Sequence, residues 1–245
     1  MTEESAIDQG PARPYLPAMG RPWLLPLYDP FTRLLGAGRV HRELLDRAGL
    51  APGQRVVEIG CGTGNLLLAA KRRCPGAQVA GLDPDPAAVR RTARKAARAR
   101  LAVTVEVGYA DALPYPDRSV DRVLSSFMLH HLEPGDLPRA LAEVRRVLRP
   151  GGELHVVDIV GGGHHRNGLL GRLARRRHGA PAAHGAHGAH GAHGAGSSEA
   201  HGTPDAPGAP ARLLGLLADA GLRDAAETGR GSVRVGDYAF HRAVR

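Results

Sequence analysis

The sequence predicts an α/β domain with a doubly wound, mainly parallel sheet, and three observations support this prediction. Residues 56–65 read as a short apolar strand that contains Glu58 and breaks into a glycine-rich turn, and a helix at 66–73 follows at once. Further strand-like and helix-like segments alternate along the chain, as in parallel sheets joined by helical crossovers. Asp83 and Asp111 each follow a predicted strand, at the edge where open α/β sheets bind ligands.

The glycine spacing of the turn indicates which kind of ligand it holds. Residues 60–64 read G-x-G-x-G, whereas a dinucleotide-binding turn reads G-x-G-x-x-G and places a pyrophosphate at the helix N-terminus. Glu58, two residues before the first glycine, would repel a pyrophosphate but could hydrogen-bond an ammonium or hydroxyl group. The turn therefore favours S-adenosylmethionine (SAM), which carries a zwitterionic amino acid and no phosphate.

The next two elements continue the strand–helix alternation. Gln78–Asp83 is the second predicted strand, and its terminal Asp83 lies nineteen residues after Gly64. A carboxylate at the end of the second strand can bond both hydroxyls of a ribose. Residues 85–100 predict a helix with Pro86 in its first turn, and its repeated Arg and Lys residues are interpreted as a solvated face.

The third and fourth predicted strands bring further polar residues to the same edge. Residues 103–107 are a strand of alternating β-branched residues that leads to Asp111, and residues 121–129 are a strand that leads to His130 and His131. A histidine there could be a general base, because its pKa lies near physiological pH. The alternative interpretation is that the two histidines only line the cofactor pocket.

The rest of the ordered chain is predicted as two helices and three strands. The helices are at 138–148, with apolar residues at helical spacing, and at 211–220, which ends at Gly221. A turn at 150–152 leads into the fifth strand, at 153–160, and the two closing strands are at 223–228 and 233–243.

Composition divides the chain into five segments. They are a disordered tail (1–22), an N-terminal helical cap (23–52), the cofactor-binding core (53–160), a Gly/Ala/His-rich disordered insertion (161–210), and the C-terminal helix and closing strands of the same domain (211–245). The insertion contains a Gly-Ala-His repeat with His184, His187, His190 and His193. A solvated low-complexity segment is the first interpretation of this repeat, and regulatory or adventitious Zn²⁺ or Ni²⁺ binding is the alternative. No metal ligand is predicted for catalysis.

The overall charge is weak evidence about partners. The 245-residue chain has a formal net charge of +9, but nearly all its cations are arginine and only Lys71 and Lys95 are lysine, as expected from a GC-rich coding sequence. We therefore expect no specific nucleic-acid partner. Cys61 and Cys74 are the only cysteines, and Cys61 lies in the turn, so a reducing cytoplasm is expected. No apolar run is long enough for a membrane span, and the sequence gives no sign of the oligomeric state.

With these motifs the sequence resembles the class I SAM-dependent methyltransferases, in particular the type 11 group of small-molecule enzymes that includes quinone-ring C-methyltransferases. The resemblance extends from about Tyr28 to Ile159 and resumes near Ala211. The stretches that carry it are 56–65, 81–83, 110–121 and 148–154.

The resemblance implies a Rossmann-like sheet of seven strands in the order 3-2-1-4-5-7-6, with the last strand antiparallel. It implies that Asp111 binds the adenine amine, that the adjacent backbone N–H reads a ring nitrogen, and that residues 23–52 close over cofactor and substrate. The predicted cofactor-binding residues are Glu58, Gly60, Cys61, Gly62, Thr63, Gly64, Asp83, Pro84, Asp111, Ala112, Ser126 and Phe127. The candidate catalytic residues are His130 and His131.

The predicted function is methyl transfer from SAM to a small-molecule acceptor (a quinone, a phenol or another metabolite) by in-line displacement. Two other classes stay open. An RNA or protein methyltransferase is supported only by the arginine content, and a non-catalytic SAM- or metal-binding protein would use the histidine-rich insertion.

Overall fold

The structure is a computed structural model, and it describes residues 36–133, 135–160, 209–233 and 236–245. Its helices are α1 (Ala37–Ala48), α2 (Asn65–Arg73), α3 (Pro86–Ala99), α4 (Asp136–Val147) and α5 (Ala209–Asp219), with a short 3₁₀ helix at Leu129–His131. Its strands are β1 (Arg55–Ile59), β2 (Gln78–Asp83), β3 (Thr104–Val107), β4 (Val120–Ser126), β5 (Leu148–Ile159), β6 (Arg223–Val233) and β7 (Gly236–Val244).

The seven strands form one sheet in the order β3-β2-β1-β4-β5-β7-β6, which confirms the predicted topology. Strands β1 to β5 pair in parallel, and β7 lies antiparallel between β5 and β6. The order reverses at β1, where β2 lies on one side and β4 on the other. Ligands bind at such a reversal, beside the carboxyl ends of the strands.

Alternating side chains of the strands point into two apolar layers, one on each face of the sheet. Val57 and Ile59 of β1 pack in the layer covered by α4 and α5. Val56 packs in the layer covered by α1 and α2. This two-sided burial is why the central strands read as nearly continuous apolar runs.

Capping residues explain where two of the helices begin and end. Asp85 accepts a hydrogen bond from the backbone N–H of Ala87 at 2.8 Å, and Pro86 occupies the first turn of α3. Helix α1 ends at Gly49, whose left-handed backbone (φ 53°) directs its N–H to the carbonyl of Leu45. The bounds of α3 lie within one residue of the predicted ones.

The prediction that the fourth strand runs through 121–129 was wrong at its C-terminal end. Strand β4 ends at Ser126, because Phe127 adopts a left-handed backbone (φ 51°) that no extended strand accommodates. His130 and His131 therefore lie in the 3₁₀ helix rather than directly after a strand.

Three other boundaries also differ from the prediction. The predicted turn at 150–152 lies inside β5, where the pairing with β4 shifts register after Val120 because extra residues of β5 bulge out. Val233 is the last residue of β6 and not the first of β7, so the closing hairpin is longer and later than expected. Helix α5 begins at Ala209, inside the segment assigned to the insertion.

Several predicted segments lie outside the described residues. They are the tail at 1–22, the part of the cap at 23–35, and the insertion up to residue 208 with its histidine repeat. The described part of the cap contains helix α1, whose Val40, Leu44 and Leu45 are buried.

A polar network on the face of the sheet towards α1 ties β4, β5 and β7 together. Glu153 Oε1 accepts from Arg242 Nη2 at 2.6 Å, and Glu153 Oε2 lies 2.8 Å from Nε2 of the buried His155. Arg122 Nε lies 3.9 Å from the same carboxylate. The hydrogen bond from Arg242 is the main reason that the pKa of Glu153 falls to about 2.

We expect the variant Glu153→Gln to be destabilised at neutral pH by about 2 kcal/mol, since the ordinary pKa of a glutamate is about 4.3 and the folded value is far lower. A depressed carboxyl pKa stabilises the fold above pH 4.3, and this contribution disappears as pH falls through about 2. Urea unfolding from pH 2.5 to pH 7 should therefore show that the difference in unfolding free energy between wild type and variant becomes smaller as the pH falls.

The matched control for this prediction is Asp46→Asn, because Asp46 pairs with Arg73 at 2.5 Å where both side chains are more than half exposed. Exposed ion pairs contribute little to stability, so this variant should unfold almost like the wild type. If the loss of unfolding free energy caused by Glu153→Gln did not change with pH, the electrostatic explanation would be contradicted.

Candidate functional site

A cleft with an empty volume of about 410 Å³ lies between the β1–α2 turn, the end of β4 and the start of α1. Its polar and backbone lining comprises His41, Glu58, Gly60, Cys61, Gly62, Thr63, Asn65, Ser126 and Phe127, with Ala37 and Leu66 completing it. The fold thus brings together predicted site residues from two separate parts of the sequence. They meet where the strand order reverses, as open α/β sheets require.

The three glycines of the turn have different physical roles. All adopt positive φ, at +67° for Gly60, +50° for Gly62 and +75° for Gly64. A Cβ atom would lie 2.2 Å from Met128 Cγ at position 60 and 2.3 Å from Thr92 Cγ2 at position 64. At position 62 a Cβ atom would meet nothing within 4 Å. Gly60 and Gly64 therefore allow internal packing, whereas Gly62 leaves open space over the backbone.

Asp83, at the end of β2, holds the turn in this shape. Its Oδ2 accepts the N–H of Gly62 at 2.8 Å, and its Oδ1 accepts the N–H of Asp85 at 2.9 Å. Burial raises the pKa of Asp83, and these two hydrogen bonds oppose that shift. Asp83 does not line the cleft itself, so its first role in the structure is to position the loop.

Glu58 is the most unusual polar residue of the cleft. It is only 3% exposed, and its Oε2 has no hydrogen-bond partner among the described residues. Burial, and next the nearby Asp83, raise the pKa of Glu58 well above its usual range, while the backbone N–H of Leu67 and the charge of Lys95 oppose the shift. A buried carboxylate oxygen without a partner is unfavourable, so a cationic hydrogen-bond donor in the cleft would be strongly preferred there.

Helix α3 supports the turn from outside, which the sequence did not indicate. Lys95 Nζ donates to the carbonyl of Thr63 and to Oδ1 of Asn65, both at 2.7 Å. Thr92 Oγ1 donates to the carbonyl of Gly62 at 2.9 Å. The prediction treated the cations of this helix as a solvated face, and for Lys95 that interpretation was wrong because its ammonium group is bonded to the loop.

The predicted adenine-binding residues lie away from the cleft lining. Asp111 Oδ2 is 3.4 Å from Nε of Arg139, and the N–H of Ala112 donates to the carbonyl of Tyr109 at 3.1 Å. Pro84 continues directly from β2. These residues follow β2 and β3, on the far side of the turn from β4.

The two candidate catalytic histidines also lie outside the cleft lining. His130 Nδ1 is 2.5 Å from Oδ1 of Asp158, and the backbone N–H of His130 donates to Oδ2 of the same carboxylate at 3.0 Å. The ring of His131 packs on that of His130, with 4.0 Å between centroids. Asp158 was not predicted as a site residue, although an acid near the end of the fifth strand was the signal that could have indicated it.

His41 is a lining residue that the sequence prediction missed. Its Nε2 lies 3.1 Å from Oγ of Ser126, the last residue of β4, so it connects α1 to the sheet across the cleft. Burial lowers the pKa of His41 to about 4, which makes it neutral at physiological pH. A single histidine on an amphipathic helix gives no signal in one sequence that would mark it as part of a site.

Two structural absences hold for the described residues only. No group of three or more His, Cys, Asp or Glu side chains there has an arrangement that could hold a metal ion. Within the same ranges, no helix has both the length and the apolar character needed to cross a membrane. Cys61 and Cys74 are both buried and form no disulfide.

Known proteins resemble this chain in sequence and in fold. Residues 56–152 match the family model described as a methyltransferase domain. A solved SAM-dependent methyltransferase from Aquifex aeolicus shares the fold, with a TM-score of 0.59, 18% identity, and coverage of 91% of this chain and 97% of that one. Residues 56–152 are thus similar to methyltransferase domains, and the sheet has the fold of a SAM-dependent methyltransferase.

The chain is also similar to a demethylmenaquinone methyltransferase and to a C-methyltransferase of ubiquinone/menaquinone biosynthesis. It is 37% identical to the demethylmenaquinone methyltransferase of Thermus thermophilus over 139 residues, which are 56% of this chain and 62% of that one. It is 38% identical to the ubiquinone/menaquinone biosynthesis C-methyltransferase UbiE of Bordetella avium over 137 residues, 54% of this chain and 52% of that one. The chain thus spans between about half and three fifths of these relatives.

We expect the variants Gly60→Ala and Gly62→Ala to differ in stability. Each places alanine at positive φ, which costs roughly 1–2 kcal/mol, but only Gly60→Ala also drives a methyl group into Met128. Urea unfolding should therefore show a clearly larger loss of unfolding free energy for Gly60→Ala than for Gly62→Ala. Equal losses would contradict the distinct roles assigned to these glycines.

Proposed function

We propose that this chain is a SAM-dependent methyltransferase that transfers a methyl group to a small-molecule acceptor of the quinone or phenol type. One observation carries the proposal: Glu58 lines the same cleft as the turn in which Gly62 leaves open space, and one of its buried carboxylate oxygens has no partner in the part of the chain that the structure describes. The methionine part of SAM fits both features, because it brings an ammonium group to Glu58 and lies against an exposed backbone. A dinucleotide would bring a pyrophosphate, which Glu58 would repel.

Each predicted cofactor residue has a role in this proposal. Glu58 binds the ammonium group, and the loop from Gly60 to Gly64, including Cys61 and Thr63, holds the methionine part. Asp83 and the following Pro84 bind the ribose, since each carboxylate oxygen that already accepts one hydrogen bond keeps capacity for another. The adenine binders are Asp111 and Ala112, and the residues beside the methyl group are Ser126 and Phe127.

The reaction is an in-line displacement. Bound SAM supplies a methyl group that is already activated by the sulfonium. The nucleophilic atom of the acceptor forms a bond to the methyl carbon as the carbon–sulfur bond breaks, and the electron pair of that bond goes to sulfur. The protein contributes orientation and a site that excludes water.

His130 and Asp158 are the residues we propose for removing the acceptor proton. The contact at 2.5 Å holds Nδ1 of His130 against Asp158, so the neutral ring carries its proton on Nδ1 and Nε2 is the basic nitrogen. The carboxylate also stabilises the ring once it is protonated. His131, whose ring packs on that of His130, has no separate role in the proposal.

The quinone or phenol class of the acceptor is supported by the named relatives. The demethylmenaquinone and ubiquinone/menaquinone methyltransferases match this chain over just over half its length. A quinol presents an acidic hydroxyl group, whose deprotonation makes the ring a better nucleophile. A basic histidine held by a carboxylate is suited to that step.

Calorimetric titration should show micromolar binding of SAM and of its product S-adenosylhomocysteine, and none of NAD. Because Glu58 has a raised pKa and an ammonium group favours its charged form, SAM binding should release protons, which titrations in buffers of different ionisation enthalpy detect. The variant Glu58→Gln should bind SAM at least tenfold more weakly without proton release. Absence of SAM and S-adenosylhomocysteine binding to folded wild type would overturn the proposal, and strong salt-sensitive RNA binding would favour the RNA alternative.

With a hydroquinone acceptor, we expect His130→Asn to lower kcat by roughly 100-fold, the scale of general base catalysis, and to leave SAM binding intact. Asp158→Asn should lower kcat less, because the histidine remains. The matched control is the neighbouring His131→Asn, which should keep kcat. An unchanged kcat in His130→Asn, with SAM binding intact, would show that positioning alone suffices.

A further inference from the structure

His41 is the residue of the cleft that the assigned roles leave unexplained. It projects from α1, lines the cleft together with Glu58 and the turn, and lies 3.1 Å from the hydroxyl of Ser126. No other histidine in the described residues is part of this lining. Its position at the end of β4 is beside the place assigned to the methyl group.

The surroundings of the cleft carry opposite charges at its two ends. At the inner end lies the carboxylate of Glu58, and the charge of the nearby Asp83, which does not line the cleft, acts on it. At the outer end the cleft continues into a groove between α1, α2 and α3, with His41 and Asn65 lining both. Of the described residues, the charged ones that line this groove are Arg72, Lys95 and Arg98, and none of its described lining residues is acidic.

A ligand end with one cationic and one anionic group would be oriented by this arrangement. The amino acid part of SAM is such a zwitterion. Its ammonium group is drawn to Glu58, and its carboxylate is drawn towards the cationic groove. The polar side chains between these two regions are those of His41, Ser126 and Asn65, and Asn65 Oδ1 already accepts from Lys95.

We propose that His41, together with Ser126, binds the carboxylate of the methionine part of SAM. This inference rests on the proposed function. It assigns a binding residue on α1, outside the segment 56–152 that matches the family model. It also gives α1 a direct contact with the cofactor.

In either tautomer of the His41 ring, the pair of His41 and Ser126 keeps one hydrogen-bond donor for a ligand. If Ser126 donates to Nε2 of His41, the ring carries its hydrogen on Nδ1 and donates from there. If Nε2 donates to Ser126, the hydroxyl hydrogen of Ser126 is left to donate. In both cases a carboxylate accepts one hydrogen bond from the pair.

The neutral state of His41 also suits this position. Burial keeps its pKa at about 4, so the ring donates a hydrogen bond without placing a second cation beside the sulfonium. A lysine or arginine at the same place would bind the carboxylate more strongly but would repel the sulfonium.

The test compares SAM with decarboxylated SAM, in which a hydrogen atom replaces the carboxylate, by calorimetric titration. Wild type should bind SAM at least tenfold more tightly. His41→Ala should weaken SAM binding by about 10- to 100-fold, the scale of a hydrogen bond to a charged group, and leave decarboxylated SAM within about twofold on the same scale. His41→Gln, which keeps a donor, should recover most of the affinity for SAM.

Two controls separate this result from loss of structure or of general charge. Glu58→Gln should weaken both ligands alike, because both keep the amino group. Arg94→Ala removes an exposed cation of α3 that does not line the groove, and it should change neither affinity.

The outcomes are distinguishable. Equal weakening of both ligands in His41→Ala, or no weakening of either, would overturn the carboxylate assignment while SAM binding by the wild type still supports the proposed function. If the folded wild type binds neither SAM nor S-adenosylhomocysteine, the proposed function fails first.

Discussion

The hydrogen bond from the N–H of Gly62 to Asp83 is the interaction on which the rest of the site depends. It joins the turn after β1 to the end of β2, and the N–H of Cys61 strengthens the link by donating to the carbonyl of Leu82 at 3.0 Å. These bonds hold Gly62 at positive φ and direct its open side into the cleft. Without them the turn would have no fixed shape to present to a ligand.

The end of β4 is the second place where local backbone geometry determines function. Phe127 turns the chain with a left-handed conformation, and its N–H donates to the carbonyl of Val157 at 2.8 Å. This break leaves Ser126 facing the cleft and His41. The same break brings His130 to Asp158 of β5. Ser126, which contacts His41, therefore lies before Phe127 in the strand, and the pair of His130 and Asp158 forms just after it.

Glu58 shows how an unfavourable feature of the free protein can serve binding. Its buried oxygen lacks a partner and its charged form is disfavoured, so folding bears a cost that a cationic ligand removes. The cationic residues of α2 and α3 line the groove at the other end of the cleft, and the charge of Lys95 opposes the raised pKa of Glu58 without cancelling it. The resulting charge separation matches a zwitterion rather than a simple cation or anion.

The sequence by itself determined the sheet order, through its resemblance, and most elements within a few residues. Glycine spacing, strand-terminal acids and apolar periodicity are local signals, so Glu58, the turn and Asp83 could be predicted. The sequence did not predict where β4 ends, the contact of Asp158 with His130, the hydrogen bonds from Lys95 to the turn, or the contact of His41 with Ser126. Each joins residues that are far apart in the chain, from 28 positions for His130 and Asp158 to 85 for His41 and Ser126. Only the packing of helices on the twisted sheet brings such pairs together, and no local pattern encodes it.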